Sequence, residues 1–152
     1  MRSFIVLIED DSNDILLIRR ALEKAQVTGR IIVLKDGEAA VDFFTDLLRS
    51  PFRELPRLVL LDLKLPRLDG FQVLSWMRNQ PALRYLPVVV FTSSSLQEDV
   101  DRAYASGATS YLMKPIGHDQ MQHTIKTLRH YWLQMNLPPS PPAVLGSSIS
   151  TI

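Results

Sequence analysis

Residues 58–70 read LVLLDLKLPRLDG, and the way this stretch is taken decides the fold. Leu58 to Leu61 are continuously apolar rather than alternating, as in a strand covered on both faces within a parallel sheet. Asp62 then places a charge at the strand's tip. Burying a charge is costly unless something pairs with it, so Asp62 needs partners.

Working outward, four more runs resemble it: Phe4 to Ile8, Ile31 to Leu34, Val88 to Phe91 and Tyr111 to Met113. Between them lie segments with helical spacing. Ile15, Ile18, Leu22 and Ala25 line one face of a first helix; Ala40, Val41, Phe44 and Leu48 line a second. Phe71, Leu74 and Met77 mark a third, stopped by Pro81. Val100, Ala103 and Tyr104 mark a fourth, opened by the capping-box pattern Ser95-Leu96-Gln97-Glu98 and closed at Gly107. Met121, Ile125, Leu128 and Trp132 mark a fifth. A β-α unit repeated five times predicts a doubly wound α/β fold, a parallel sheet with helices on both faces. Two stretches fall outside the pattern: the connection RSPFRELPR, residues 49–57, and the Pro- and Ser-rich residues 136–152.

Composition bounds the function. Hydrophobic residues make up 46% of the 152, enough for one domain with its own core. With 17 basic and 16 acidic residues and a formal net charge of +1, the chain lacks the basic stripe of a nucleic-acid binder. No apolar run has the length of a membrane span, and the first strand begins without a charged, apolar leader; a soluble, cytoplasmic protein is expected. The absence of cysteine excludes disulfides, thiolate zinc sites and cysteine nucleophiles.

Sites in such sheets form outside the carboxyl ends of the strands. There the first strand runs into Glu9-Asp10-Asp11, the third ends at Asp62, the fourth at Thr92-Ser93-Ser94 and the fifth at Lys114-Pro115. Each has a plainer reading alone: Asp11 or Ser12 as a helix cap, Thr92 as a turn residue, Lys-Pro as a loop. Together, at the ends of successive strands, they form a set. Several carboxylates in one crevice repel one another and call for a cation, and oxygen ligands in a half-open site suit Mg²⁺ or Mn²⁺ rather than zinc. A carboxylate can attack phosphorus to give an aspartyl phosphate. The phosphoryl oxygens would then be neutralised by the metal, an ammonium and a hydroxyl, and the set contains one of each.

With these residues in place, positions 4 to about 130 resemble the receiver domain of two-component response regulators, a flavodoxin-like (βα)5 fold. The strand order 2-1-3-4-5 comes with that resemblance and not from spacing. The resemblance implies Asp62 as phosphoacceptor, with Glu9 and Asp10 as the acidic pair that holds Mg²⁺ or Mn²⁺. Asp62 and the backbone carbonyl of Lys64 would complete the protein's ligands. Direct metal contact is open among Glu9, Asp10 and Asp11, with Asp10 preferred. Thr92 and Lys114 would bind phosphoryl oxygens, and Tyr111 would be the aromatic that switches with Thr92. The Lys114–Pro115 bond would be cis. Pro66 and Gly70 would shape the turn after the phosphoacceptor, Gly70 through its backbone freedom. Lys64 and Ser94 fall at positions that tune hydrolysis of the acyl phosphate.

The stretches VLIEDDSNDILLIRRAL, LPVVVFTSSSLQEDVDRAYASGATSYLMKP and YWLQMNLPP, with the long connection before the third strand, resemble single-domain regulators of bacterial phytochrome kinases. This implies a sensor histidine kinase, of phytochrome type, as partner. The receiver is expected to occupy residues 1–135 and the tail 136–152. The segment after the fifth helix is too short to bury a DNA-binding core, so the signal is expected to leave through the receiver's own surface. Composition alone favours disorder for the tail. Tyr131, Trp132, Met135 and Leu137 nevertheless add apolar surface beside it, favouring a homodimer in which the last helix and tail reach across to a second subunit. For Trp132 alone, capping the core is an equal alternative.

Other classes fit less well. A receiver serving a non-phytochrome kinase or a phosphorelay shares the same residues. A phosphatase with an aspartyl nucleophile needs a second aspartate two residues on, where this chain has Lys64. A phosphorylation-independent scaffold has no need of the complete acidic and basic set. The expectation is a regulatory domain and not an enzyme.

Overall fold

The computed structural model describes residues 4–27, 29–51 and 54–140. Five parallel strands run β1 (Phe4–Ile8), β2 (Arg30–Leu34), β3 (Leu58–Leu61), β4 (Val88–Thr92) and β5 (Ser110–Met113). Their order is β2-β1-β3-β4-β5, as the resemblance implied. The helices are α1 (Ser12–Lys24), α2 (Gly37–Arg49), α3 (Gly70–Arg78), α4 (Gln97–Ala105) and α5 (His118–Arg129).

The unbroken apolar runs are explained by two cores, one on each face of the sheet. Val6, Ile8, Val59, Leu61, Val88 and Val90 pack with Ala40 and Phe44 of α2, Leu74 and Met77 of α3 and Ala103 of α4. The intervening Ile5, Leu7, Leu58, Leu60, Val89 and Phe91 pack with Ile15 and Ile18 of α1 and Met121 and Ile125 of α5. Successive side chains point to opposite faces, so a strand buried on both must be apolar at every position. Edge strands β2 and β5 are only partly buried.

Register sets the site. Ile8 pairs with Leu61, so the residues one step further, Glu9 and Asp62, emerge side by side at the carboxyl edge. The backbone ladder continues past the strands: the Glu9 N–H donates to the Leu34 carbonyl at 3.0 Å, Asp62 to Ile8 at 3.0 Å and Lys114 to Thr92 at 2.7 Å. These bonds fix three charged residues in place before their side chains interact.

Local signals behave unequally. Asp11 caps α1, its side chain accepting from the Asp14 N–H. The capping box expected at Ser95 does not form: Leu96 is the N-cap of α4, without a side-chain bond. Ser94 instead donates its hydroxyl to Asp99, in the first turn of the helix. A true capping box lies at Asp69 and Gln72, opening α3. Gly107 closes α4 at φ 107°, in the left-handed region that favours glycine. Pro81 begins a short 3-10 turn, Pro81–Leu83, after α3 ends.

The last helix is not uniform. From His130 to Met135 it is π-helical, and the Asn136 N–H donates to the Tyr131 carbonyl at 2.7 Å. The wider turn shifts the helix face by one residue. Trp132 and the adjacent Leu133 both reach the core on the α1/α5 side, leaving Tyr131, Met135 and Leu137 exposed. Residues 136–140 have no regular structure, and the rest of the expected tail, 141–152, lies outside the described residues, as do residues 52 and 53 of the long connection.

Candidate functional site

Four elements deliver the site. Glu9 and Asp10 leave β1, Asp62 leaves β3, Thr92 ends β4 and Lys114 follows β5. Carboxylate oxygens of Glu9, Asp10 and Asp62 lie within 4.8 Å of one another. Glu9, Asp62 and Thr92 are buried, while Asp10 is exposed at the rim. A set of hard oxygen donors with an open side fits a small divalent cation such as Mg²⁺ or Mn²⁺ and offers nothing to a soft metal.

Lys114 is the hub. Its ammonium, on a side chain only 7% exposed, meets carboxylate oxygens of Glu9, of Asp14 at 2.8 Å and of Asp62 at 3.0 Å. Burial works against the charged form, but hydrogen bonds to Asp14 and Glu9 and the pairing with Asp62 outweigh it, raising the pKa above the ordinary lysine value. The acids outnumber the cation. Glu9, the most buried, bears the consequence: desolvation pushes its carboxyl up to about 7, with Asp62 adding repulsion and Lys114 opposing.

The remaining acceptors of the buried pair are supplied locally. Glu9 takes the Asp11 N–H at 3.1 Å on its second oxygen. The other oxygen of Asp62, Oδ1, faces the Lys64 N–H at 3.4 Å, a long contact that leaves it lightly engaged. An open groove of about 550 Å³ runs past Asp10 and Lys64 to Asp69, Ser94 and Asp99.

Tyr111 lies beyond Thr92, half-buried against the α2/α3/α4 core. Its hydroxyl donates to the Ser94 carbonyl at 2.9 Å, so Ser94 is tied to β5 through its backbone and to α4 through Asp99.

Three expectations are corrected. Among the described residues there is no cis peptide bond, so Lys114–Pro115 is trans. Trans is the intrinsic preference by about 0.5–1 kcal/mol, and Lys114 reaches all three carboxylates with it. Gly70 does not have positive φ; Arg67 (φ 71°) takes that conformation in the turn. A glycine is needed at 70 because a Cβ would overlap the Asp62 carbonyl oxygen, where the start of α3 closes over the strand end. The third is the Ser95 capping box, replaced by the bond from Ser94 to Asp99.

Asp14 escaped the sequence reading. It looks like an ordinary acidic residue in the first turn of α1, three positions after the cap. The only signal was that a helix starting directly after Glu9-Asp10 must bring its first turn back over the strand ends. Tyr131, Trp132, Met135 and Leu137 lie apart from this cluster, on the final π turn and just beyond it.

The pattern of the response regulator receiver domain matches residues 5–126. The chain is 44% identical over 137 residues to the probable methanogenesis regulatory protein FilR2 of Methanothrix harundinacea, covering 90% of this chain and 88% of that one. It is 32% identical over 130 residues to response regulator Rcp1 of Synechocystis, covering 86% and 88%. A solved structure of Rcp1 in its Mn²⁺-bound form superposes with a TM-score of 0.80 at 31% identity, over 91% of this chain and 99% of that. The phosphorylated cyanobacterial phytochrome response regulator RcpA superposes with a TM-score of 0.84 at 31% identity, over 92% and 100%.

Proposed function

This chain belongs to the response regulator receiver family, and from that premise we propose that it works as a phosphorylation switch, with Asp62 accepting a phosphoryl group from a sensor histidine kinase. The observation that carries this reading is the Lys114 ammonium 3.0 Å from Asp62, with Glu9 and Asp10 completing the cluster. In the transfer, the kinase's phosphohistidine N–P bond breaks as a bond forms between phosphorus and a carboxylate oxygen of Asp62. The imidazole then regains a proton from solvent. Asp62 Oδ1 is the less engaged oxygen, meeting only the Lys64 N–H at 3.4 Å. Lys114 neutralises one phosphoryl oxygen and the Thr92 hydroxyl hydrogen-bonds another. Asp10, Asp62, Glu9 and the Lys64 carbonyl would hold Mg²⁺ or Mn²⁺, which would supply charge neutralisation for the remainder.

Drawing Thr92 toward the phosphoryl group disturbs the neighbouring link from Tyr111 to Ser94, and with it the face formed by α4, β5 and α5. The output is a change of protein partner; the chain turns over no external substrate, and it acts in the cytoplasm. The likeness to RcpA favours a phytochrome-type kinase. The greater identity to FilR2 favours a second reading, a kinase of another sensory type. Exposed Tyr131, Met135 and Leu137 support a homodimer through the last helix and tail. Deleting residues 138–152 is then expected to shift the sedimenting mass to the monomer; an unchanged dimer removes the tail from the contact.

The phosphoacceptor is tested with Mg²⁺ and acetyl phosphate or a kinase. Wild type is expected to be labelled and Asp62→Asn to stay unlabelled. Equal labelling of the two would refute the assignment. Profiling transfer from phytochrome-type and other kinases of the same cell separates the two partner readings.

A further inference from the structure

An ammonium has three N–H bonds, and in Lys114 all three face carboxylates: Glu9, Asp14 at 2.8 Å and Asp62 at 3.0 Å. A phosphoryl oxygen arriving at Asp62 needs one of them. We propose that Asp14 is a positioning residue that holds and partly neutralises Lys114 while Asp62 is unmodified and lets it go when the phosphoryl group arrives. This rests on Asp62 being the phosphoacceptor.

The three partners differ in what release would cost. Glu9 has a side chain only 1% exposed, and without Lys114 its charge would be stranded. Asp62 loses its negative charge when one of its oxygens bonds to phosphorus, but its other oxygen stays beside the same ammonium. Asp14 has a side chain 29% exposed and can turn its carboxylate to water. Its backbone is independently fixed, since its N–H donates to the Asp11 side chain at 2.9 Å. The side chain can therefore swing while α1 stays capped.

Holding Lys114 this way has an electrostatic cost for phosphorylation. Asp14 draws off part of the only cation among the residues paired here, and its own charge repels an anionic phosphodonor. It acts as a brake on phosphoryl acceptance. Asparagine keeps the size and one acceptor oxygen of aspartate but removes the charge.

The test uses the full chain at saturating Mg²⁺, with acetyl phosphate as donor and phosphorylation followed by phosphate-affinity electrophoresis. Asp14→Asn is expected to raise the second-order rate constant about tenfold, the equivalent of one partly exposed charge-assisted bond. The variant should still unfold in one cooperative transition, and Asp14→Glu should restore the slow rate. A purely structural Asp14 would leave the Asn rate unchanged. An unchanged or slower rate for Asp14→Asn overturns the proposal while leaving Asp62 as phosphoacceptor. Asp14→Ser carries the same comparison if the Asn variant does not fold, and failure of both to fold also overturns it. A wild-type chain inert to phosphodonors overturns the phosphoacceptor reading itself.

Discussion

The Lys114 ammonium lies 3.0 Å from Oδ2 of Asp62, across 52 positions of sequence and one intervening strand. The β3–β4 and β4–β5 ladders deliver each residue to the same edge, so the pair is a consequence of sheet order.

Glu9 gives this cluster a pH dependence. Its carboxyl is pushed from 4.5 up to about 7 by burial first and Asp62 second. An acid with a higher pKa folded than unfolded takes up a proton more tightly in the folded chain, so it destabilises the fold once ionised. With divalent cations chelated, stability is expected to rise as pH falls from about 7 to about 4.5, by up to about 3 kcal/mol. Urea unfolding in chelator across that range checks it. Glu9→Gln should flatten the slope.

Divalent cation binding should relieve the same repulsion and stabilise the fold. Mg²⁺ at a hundredfold excess over its Kd adds about 2.7 kcal/mol if it binds only the folded chain. Thermal melts with and without Mg²⁺ should show a clear rise for wild type. Asp10→Asn, which removes the exposed acid of the set, should lose most of that rise.

Gly70→Ala tests the link between α3 and the phosphoacceptor. The added methyl would overlap the Asp62 carbonyl oxygen, so the helix start or the strand end must shift. A loss of about 1–3 kcal/mol is expected from urea unfolding. Because the displaced backbone carries Asp62, labelling by acetyl phosphate should fall as well.

Arg78 is expected to be a structural residue whose loss spares the chemistry. Its guanidinium donates to the carbonyls of Gly107 at 2.8 Å, Leu83 at 2.7 Å and Arg84 at 3.2 Å, and to the Thr109 hydroxyl at 3.2 Å. One side chain thus ties the end of α3 to the end of α4 and the start of β5. Lysine cannot reproduce this fork. Arg78→Lys should cost about 2–3 kcal/mol in urea unfolding while Asp62 is still labelled.

How much was legible in the sequence differs from residue to residue. Continuous apolar runs revealed the buried strands, because two-sided burial admits no polar position. The acids and the lysine just past those runs marked the site, because a charge ending a buried strand requires partners. Ser95 misled because its capping pattern depends only on spacing, while Ser94 competes for the helix start through Asp99. Gly70 was singled out for backbone freedom, yet what it meets is an atom eight positions earlier in the chain. Asp14 was missed because its first-turn position reads as helix chemistry, and its partner lies 100 residues away.

The sequence by itself determined the five β-α units, most of the apolar faces that build the two cores (Tyr104, expected on one, is exposed) and, Asp14 apart, the list of groups available at the carboxyl edge. These arise from local periodicity and the cost of burying charge. Only the tertiary structure decided how that list is connected: Lys114 shared among three carboxylates, Glu9 driven toward its neutral form, Asp14 brought into the site, and the last turn widened so that Trp132 and Leu133 both reach the core. Each of those depends on distances between residues remote in the chain, and Coulomb and packing energies are set by such distances.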